Sequence, residues 1–203
     1  RMQQQADRFV QLHHEILRGI EQRQFYLVYQ PILTVDNLRY QKCEALVRWL
    51  HPERGLISPM EFIPVAERTG AMRPLGQWIL QQAISDMKLF GQLGLELQVS
   101  VNRSSQEFNQ ARVADDWLAW LQQEGLQPQQ LIIEITESLF MDKGTVQQAN
   151  VERLHQQGVQ LAIDDFGTGY SALNYLNRYP VNYIKIDKSF IQNVAVQEKD
   201  RAL

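Results

Sequence analysis

The sequence predicts an α/β fold in which βα units build a mainly parallel sheet, and three observations carry that reading. Strand-like and helical runs alternate along nearly the whole chain. Gly125, Gly158 and Pro180 stand where helices should turn back into strands. Each strand-like run has one apolar parity and one polar parity, and several of the polar parities close on a carboxylate, an amide or an amine. Alternating βα units allow either a barrel or a doubly wound sheet. The parities favour the barrel: Glu44, Leu46 and Arg48 oppose Cys43, Ala45 and Val47, and Gln98, Ser100 and Asn102 oppose Leu97, Val99 and Val101. Ile132, Glu134 and Thr136 likewise oppose Leu131, Ile133 and Ile135, and Tyr183, Lys185 and Asp187 oppose Ile184 and Ile186. Helices would cover the apolar parity, while the polar one converges on a shared axis, as in a (β/α) barrel that draws its site from several strand ends.

The elements follow in order. Phe9, Leu12, Ile16, Leu17 and Ile20 keep helical spacing, which predicts a leading helix over 7–20. The barrel begins near residue 25 with Phe25 to Gln30, a strand that should stop at Pro31. Asp36-Asn37 turns the chain into the strand carrying Glu44, which makes a hairpin. Ser58, Pro59 and Glu61 mark a helix start with N-cap, proline at the first helical position and capping box, and Gly70 marks its end. A longer helix covers 75–93, followed by strand 95–102, helix 111–124, strand 131–136, helix 145–157, strand 159–164, short helix 171–178 and strand 181–187. No internal repeat or linker interrupts the series, so residues 1–203 read as one domain.

Composition narrows the function. A chain with 44% hydrophobic residues can bury a real core, and a net charge of −3 with both signs interspersed gives no footprint for duplex nucleic acid. A single cysteine, Cys43, excludes an internal disulfide framework and points to a reducing compartment. His13, His14, His51 and His155 are scattered and match no zinc spacing. No apolar run approaches the ~20 residues of a membrane span. The chain opens on Arg1 with an amphipathic segment soon under way, so it reads as a piece of a longer protein.

The strand ends hold the chemistry. Glu44, Glu134, Asp164, Asp165 and Asn102 form an all-oxygen donor set, which suits Mg²⁺ or Mn²⁺ better than zinc. Two adjacent aspartates alone would serve equally well as a helix cap. Together with the other strand-end acids they read as a bridge between two ions suited to phosphoryl chemistry. Lys185, set in Tyr-Ile-Lys-Ile-Asp, would hold an attacking water or developing phosphate charge; its structural alternative is a simple ion pair with an aspartate. Arg48 would clamp a phosphate, or equally bridge to a neighbouring acid. Phe166 to Ser171 is neither a Walker A loop nor a nucleophile elbow; beside metal-binding aspartates it reads as a mobile lid. Trp49, Trp78, Trp117 and Trp120 read as core, and Cys43 as an inert thiol under the helices.

These residues spell out a family pattern. Glu44-Ala45-Leu46 lies within Glu-Ala-Leu-Val-Arg-Trp-Leu-His-Pro-Glu-Arg-Gly, and around it stand Tyr29-Gln30-Pro31-Ile32, Pro59-Met60-Glu61-Phe62-Ile63-Pro64, Asn102-Arg103-Ser104, Glu134-Ile135-Thr136-Glu137-Ser138, Asp164-Asp165-Phe166-Gly167-Thr168-Gly169-Tyr170-Ser171 and Lys185-Ile186-Asp187. In order and spacing, from about residue 8 onward, the chain resembles the EAL-domain family. The resemblance implies a modified TIM barrel that hydrolyses cyclic di-GMP to linear pGpG with two Mg²⁺ or Mn²⁺ ions. By position, Glu44, Asn102, Glu134 and Asp164 would hold one metal, and Asp164 and Asp165 would reach the second. Lys185 would orient the attacking water and Glu137 would anchor the loop that begins at Phe166. Gln30, Leu46 and Arg48, with Asp187 beside Lys185, would meet the dinucleotide.

Arg103 replaces the family's usual leucine, on the helix-facing parity or just past the strand, where little effect is expected. Six barrel strands are read here, which leaves an open sheet edge. The family pattern continues with strands carrying Glu-Gly-Val-Glu and Gln-Gly-Tyr, so the barrel is incomplete at its C-terminus and two further strands, one bearing another second-metal glutamate, are expected beyond residue 203. The alternatives are an EAL domain that binds cyclic di-GMP without cleaving it, or one that serves protein interaction. The first should show a broken Glu-Ala-Leu or aspartate doublet and the second should lack Arg48 and the metal acids, but all are present. A cytoplasmic domain under an upstream sensory or membrane domain is implied, with a homodimer as one assembly open to it.

Overall fold

The computed structural model describes residues 2–136, 139, 145–167 and 179–191, with the side chains of 2–7 and 191 left aside. Helix α1 spans Met2–Glu21, and strands β1 (Phe25–Thr34), β2 (Arg39–His51) and β3 (Gly55–Ile57) follow. Helices α2 (Pro59–Thr69) and α3 (Met72–Gln92) lead to β4 (Gln98–Asn102), a 3-10 turn (Ser105–Asn109) and α4 (Val113–Gln123). Strand β5 (Leu131–Thr136), helix α5 (Thr145–Gln156), strands β6 (Gln160–Phe166) and β7 (Tyr183–Ile186), and a single turn α6 (Lys188–Ile191) complete the described order.

The sheet runs β1-β2-β4-β5-β6-β7, with β3 paired to β2 off that path. β1 and β3 pair with β2 antiparallel, and every other pairing is parallel. A mixed α/β sheet of this order is the barrel-forming arrangement the parities indicate. The outward parity carries the core: Cys43, Ala45 and Trp49 on β2, Val99 and Val101 on β4, and Ile133 and Ile135 on β5 are buried. Against them pack Ile79, Leu80, Ala83 and Met87 of α3, Trp117 and Leu121 of α4, and Val151 and Leu154 of α5. Trp49 stacks on Phe25 at 5.0 Å and meets the edge of Phe62 at 5.5 Å, so the first hairpin is pinned to α2 by aromatic contacts.

Local details depart from expectation in physically clear ways. β1 does not stop at Pro31 but continues to Thr34: among the described residues β1 pairs on one side only, so a proline opposite Cys43 forfeits no second ladder bond there. Leu95 to Leu97 are not strand: Leu97 donates back to the Leu95 carbonyl at 3.1 Å, and β4 starts only at Gln98. Ser58 caps α2 by accepting from the Met60 N–H, but the capping box does not form because Glu61 turns to Arg8 and Arg54 instead. Gly70 ends that helix at φ +79°, where an L side chain would be strained. Ile184 and Ile186, expected beneath helices, are exposed on β7, the last strand of the described order. The expected helix 171–178 lies outside the described residues.

Candidate active site

Parallel register is what gathers the site. Glu44 lies opposite Ser100, Asn102 opposite Glu134, and Thr136 opposite Asp164, so the carboxyl ends of β2, β4, β5 and β6 stand side by side. Asn102 Nδ2 donates to Glu44 Oε1 at 2.8 Å. The Lys185 ammonium enters from β7 and bonds Glu44 Oε2 at 3.2 Å, Asp164 Oδ1 at 3.2 Å and Glu134 Oε2. One carboxylate oxygen from each of Glu44, Glu134 and Asp164 lies within 4.8 Å of the others. Lys185 therefore joins several acids at once rather than pairing with a single aspartate.

Electrostatics explain why so many like charges tolerate one another. Glu134 is 2% exposed, and burial pushes its carboxyl upward against the hydrogen bond and charge of Lys185. Burial pulls the Lys185 ammonium down, but Glu134, Glu44 and Asp164 outweigh it, and the net shift is upward. Lys185 is thus a fixed positive charge at neutral pH. Three carboxylates around one ammonium still leave two negative charges, a strong attraction for divalent cations.

The aspartate doublet owes its geometry to an irregularity. Ile163 pairs with Ile184, but the next pair is Phe166 with Ile186, so β6 carries one extra residue at Asp164-Asp165. Asp165 sits at φ +53° and its N–H donates to Asp164 Oδ1 at 3.0 Å. Strict alternation would send neighbouring side chains to opposite faces. A bulge with a left-handed residue re-aims one of them. Burial and then the charges of Asp164 and Asp187 push the Asp165 carboxyl upward.

Beside the acids opens a cavity of about 510 Å³, lined by Leu46 and Arg48 from β2, Asn102 and Thr136 from strand ends, Glu67 from α2, and Ser104 to Gln106. Leu46, Arg48 and Asn102 reach the cavity, together with Ala45 and Val47 of the opposite parity, and Arg48 Nη1 donates to the Val47 carbonyl at 2.9 Å; among the described residues it bridges to no acid. Gln30 lies opposite Glu44 on β1. Asp187 is half-buried and accepts from the Ser189 N–H at 2.8 Å, which holds its carboxyl below the usual range and makes it a cap for α6 rather than part of the described cavity lining. Glu137 and most of the expected lid fall outside the described residues. Of that loop, Gly167 has φ +97°, and a Cβ there would meet the Phe190 ring at 2.7 Å. Sequence reasoning missed Glu67, Ser104 and Gln106. The signal was their neighbourhood: the turn after Asn102 must cross the mouth of the strands.

Cys43 takes no part. Burial pushes its thiol up to about 11, and its side chain points into the helix layer. A thiol reagent at pH 8 is expected to label the folded protein at least about tenfold more slowly than the unfolded chain. Equal rates would show that the parity of β2 has been misassigned.

The donor set fits divalent metal ions. All groups are hard oxygens, three sit within reach of one ion, and the cluster keeps excess negative charge. Glu44, Glu134, Asp164 and the Asn102 amide are the residues that would hold an ion there, and Asp165 extends the set from the bulge.

Comparison with known proteins follows the same line. The chain matches the EAL domain family over residues 13–203. It is 39% identical over 203 residues to the bifunctional diguanylate cyclase/cyclic di-GMP phosphodiesterase MucR of Pseudomonas aeruginosa, covering all of this chain and 30% of that protein. It is 38% identical over 196 residues to the cyclic di-GMP phosphodiesterase NbdA of the same organism, covering 96% of this chain and 25% of that one. The chain thus spans about a third or less of these relatives. The solved structure of the MucR phosphodiesterase in complex with c-di-GMP superposes with a TM-score of 0.87 at 40% identity, covering 95% of this chain and 78% of that one. With its motifs in place on a matching mixed α/β fold, this chain belongs to the EAL-domain family, whose architecture is a modified TIM barrel.

Proposed function

We propose that this chain hydrolyses cyclic di-GMP to linear pGpG with two Mg²⁺ or Mn²⁺ ions. The observation that carries the reading is the cluster of Glu44, Glu134 and Asp164 around Lys185, opening beside a cavity that Leu46, Arg48 and Asn102 line. When bound, the ions would neutralise phosphate charge and make a water acidic enough to act as nucleophile. The chain's own residues do the rest. Arg48 and Gln30 hold the dinucleotide, and Leu46 supplies an apolar wall. The Lys185 ammonium orients the water and stabilises negative charge growing on phosphorus. Water oxygen bonds to phosphorus, the P–O3′ bond breaks, and the freed 3′ oxygen takes up a proton. Asp165 completes the acidic set from the bulge. In its native context the domain works in the cytoplasm under an upstream sensory module.

The purified protein in its full native length should convert cyclic di-GMP to pGpG with Mg²⁺ or Mn²⁺, lose the activity on chelation, and be inhibited by Ca²⁺. Calcium's larger radius and looser coordination disturb a two-ion geometry. Separation of products after incubation with each ion checks this. Turnover surviving exhaustive chelation would overturn the metal reading. Binding of cyclic di-GMP with no turnover under any ion would make the chain a receptor instead.

A further inference from the structure

We propose that the buried pair Arg103 and Glu107 is a positioning device for the active site, holding the Asn102 amide and the cavity wall Ser104 to Gln106 in register. This rests on the function proposed above. The Arg103 side chain is almost fully buried, as is that of Glu107. Arg103 Nη2 bonds Glu107 Oε1, Nη1 donates to the Gly76 carbonyl of α3, and the guanidinium lies 4.5 Å over the Trp117 ring of α4. The Arg103 backbone N–H donates to the Glu134 carbonyl at 2.8 Å. One residue thereby ties β5, α3, α4 and the 3-10 turn together at the point where the chain leaves β4.

The other oxygen of Glu107 accepts the Ser104 N–H at 3.1 Å, and Ser104 Oγ donates to Glu67 Oε1 at 3.0 Å. Asn102, Arg103, Ser104, Ser105, Gln106 and Glu67 all line the cavity, so Arg103 is itself part of that wall and Glu107 braces it from within. Gly76 is part of the device: a Cβ there would lie 2.3 Å from Glu107 Oε1. A buried ion pair contributes little net stability over apolar residues of similar volume, because desolvation offsets the attraction. What it adds is direction. The guanidinium fork fixes one orientation of the turn, where an apolar pair would pack in several. The expectation of little effect from Arg103 is therefore set aside.

The test uses the full-length protein and the double variant Arg103→Met/Glu107→Leu, which removes both charges and keeps apolar volume. Melting should stay within about 5 °C of wild type, since replacing such a pair is often near neutral. Dissociation constants for Mn²⁺, and for cyclic di-GMP in Ca²⁺, should rise about tenfold, and KM should rise more than kcat falls. The Asn102 carboxamide NMR signals in ion-free protein should shift. Arg103→Lys, which keeps the charge without the fork, should show the same pattern more weakly. Unchanged affinities and signals in a folded variant would overturn the proposal. Loss of fold in both variants would do so too, because the pair would then be a stability element. A wild type that ignores cyclic di-GMP would defeat the functional reading alone, since the Mn²⁺ affinity and the Asn102 signals are read without nucleotide.

Discussion

Glu44→Ala should reduce hydrolysis of cyclic di-GMP by roughly 10³-fold or more while the protein stays folded. Glu44 does two jobs in the cluster: Oε1 receives the Asn102 amide, and Oε2 receives the Lys185 ammonium. Its loss removes a candidate ligand and frees two neighbours that depend on it for direction. Stability should suffer little, because the cluster carries surplus negative charge and one carboxylate fewer relieves repulsion. Cys43→Ala is the matched control, one residue away on the opposite face of β2. It trims a small buried side chain and should cost about 1 kcal/mol or less of stability, with turnover nearly intact. Kinetics and thermal melts on the two variants check the contrast. Equal loss of turnover in two well-folded proteins would show that inward and outward faces have been exchanged.

Lys185→Ala should lower turnover by roughly 10²- to 10³-fold while affinity for cyclic di-GMP, measured in Ca²⁺, changes by less than about fivefold. Its ammonium touches Glu44, Glu134 and Asp164 at once, so under the proposed function it would stand where charge changes during phosphoryl transfer rather than where guanines would rest. Interactions realised only in the transition state raise kcat without tightening ground-state binding. Asp165→Asn tests the same division from the other side. It removes one negative charge and preserves shape, so substrate phosphate meets less repulsion while water activation is lost. Turnover should collapse and binding persist. Calorimetry in Ca²⁺ with steady-state kinetics in Mg²⁺ would separate the two. If binding falls in proportion to turnover in either variant, that residue holds ligand or fold rather than driving the chemistry.

Much of the site was legible because strand parity is a strict rule. Once Glu44, Asn102, Glu134 and Lys185 were placed on one parity and parallel pairing assumed, their meeting at one end was almost forced. Legibility failed where the rule is broken or where a partner is distant in sequence. Pro31 reads as a stop, yet β1, paired on one side only among the described residues, runs on to Thr34. Glu61 reads as the second half of a capping box, yet Arg8 and Arg54 reached it first. Arg103 reads as a bystander, yet it is buried against Glu107, Gly76 and Trp117.

By itself, the sequence determined the alternation of strands and helices, the buried parity of the central strands, the oxygen-only donor set and the family. Those follow from periodicity and residue type, which are local and need no partner to be read. Tertiary structure alone decided that Lys185 joins three carboxylates rather than one, that a bulge at φ +53° redirects the Asp164-Asp165 pair, and that a buried ion pair is built into the cavity wall. The physical reason is common to all three. Burial sets how much a charge costs, and only the packed neighbours of a residue decide whether that charge is met.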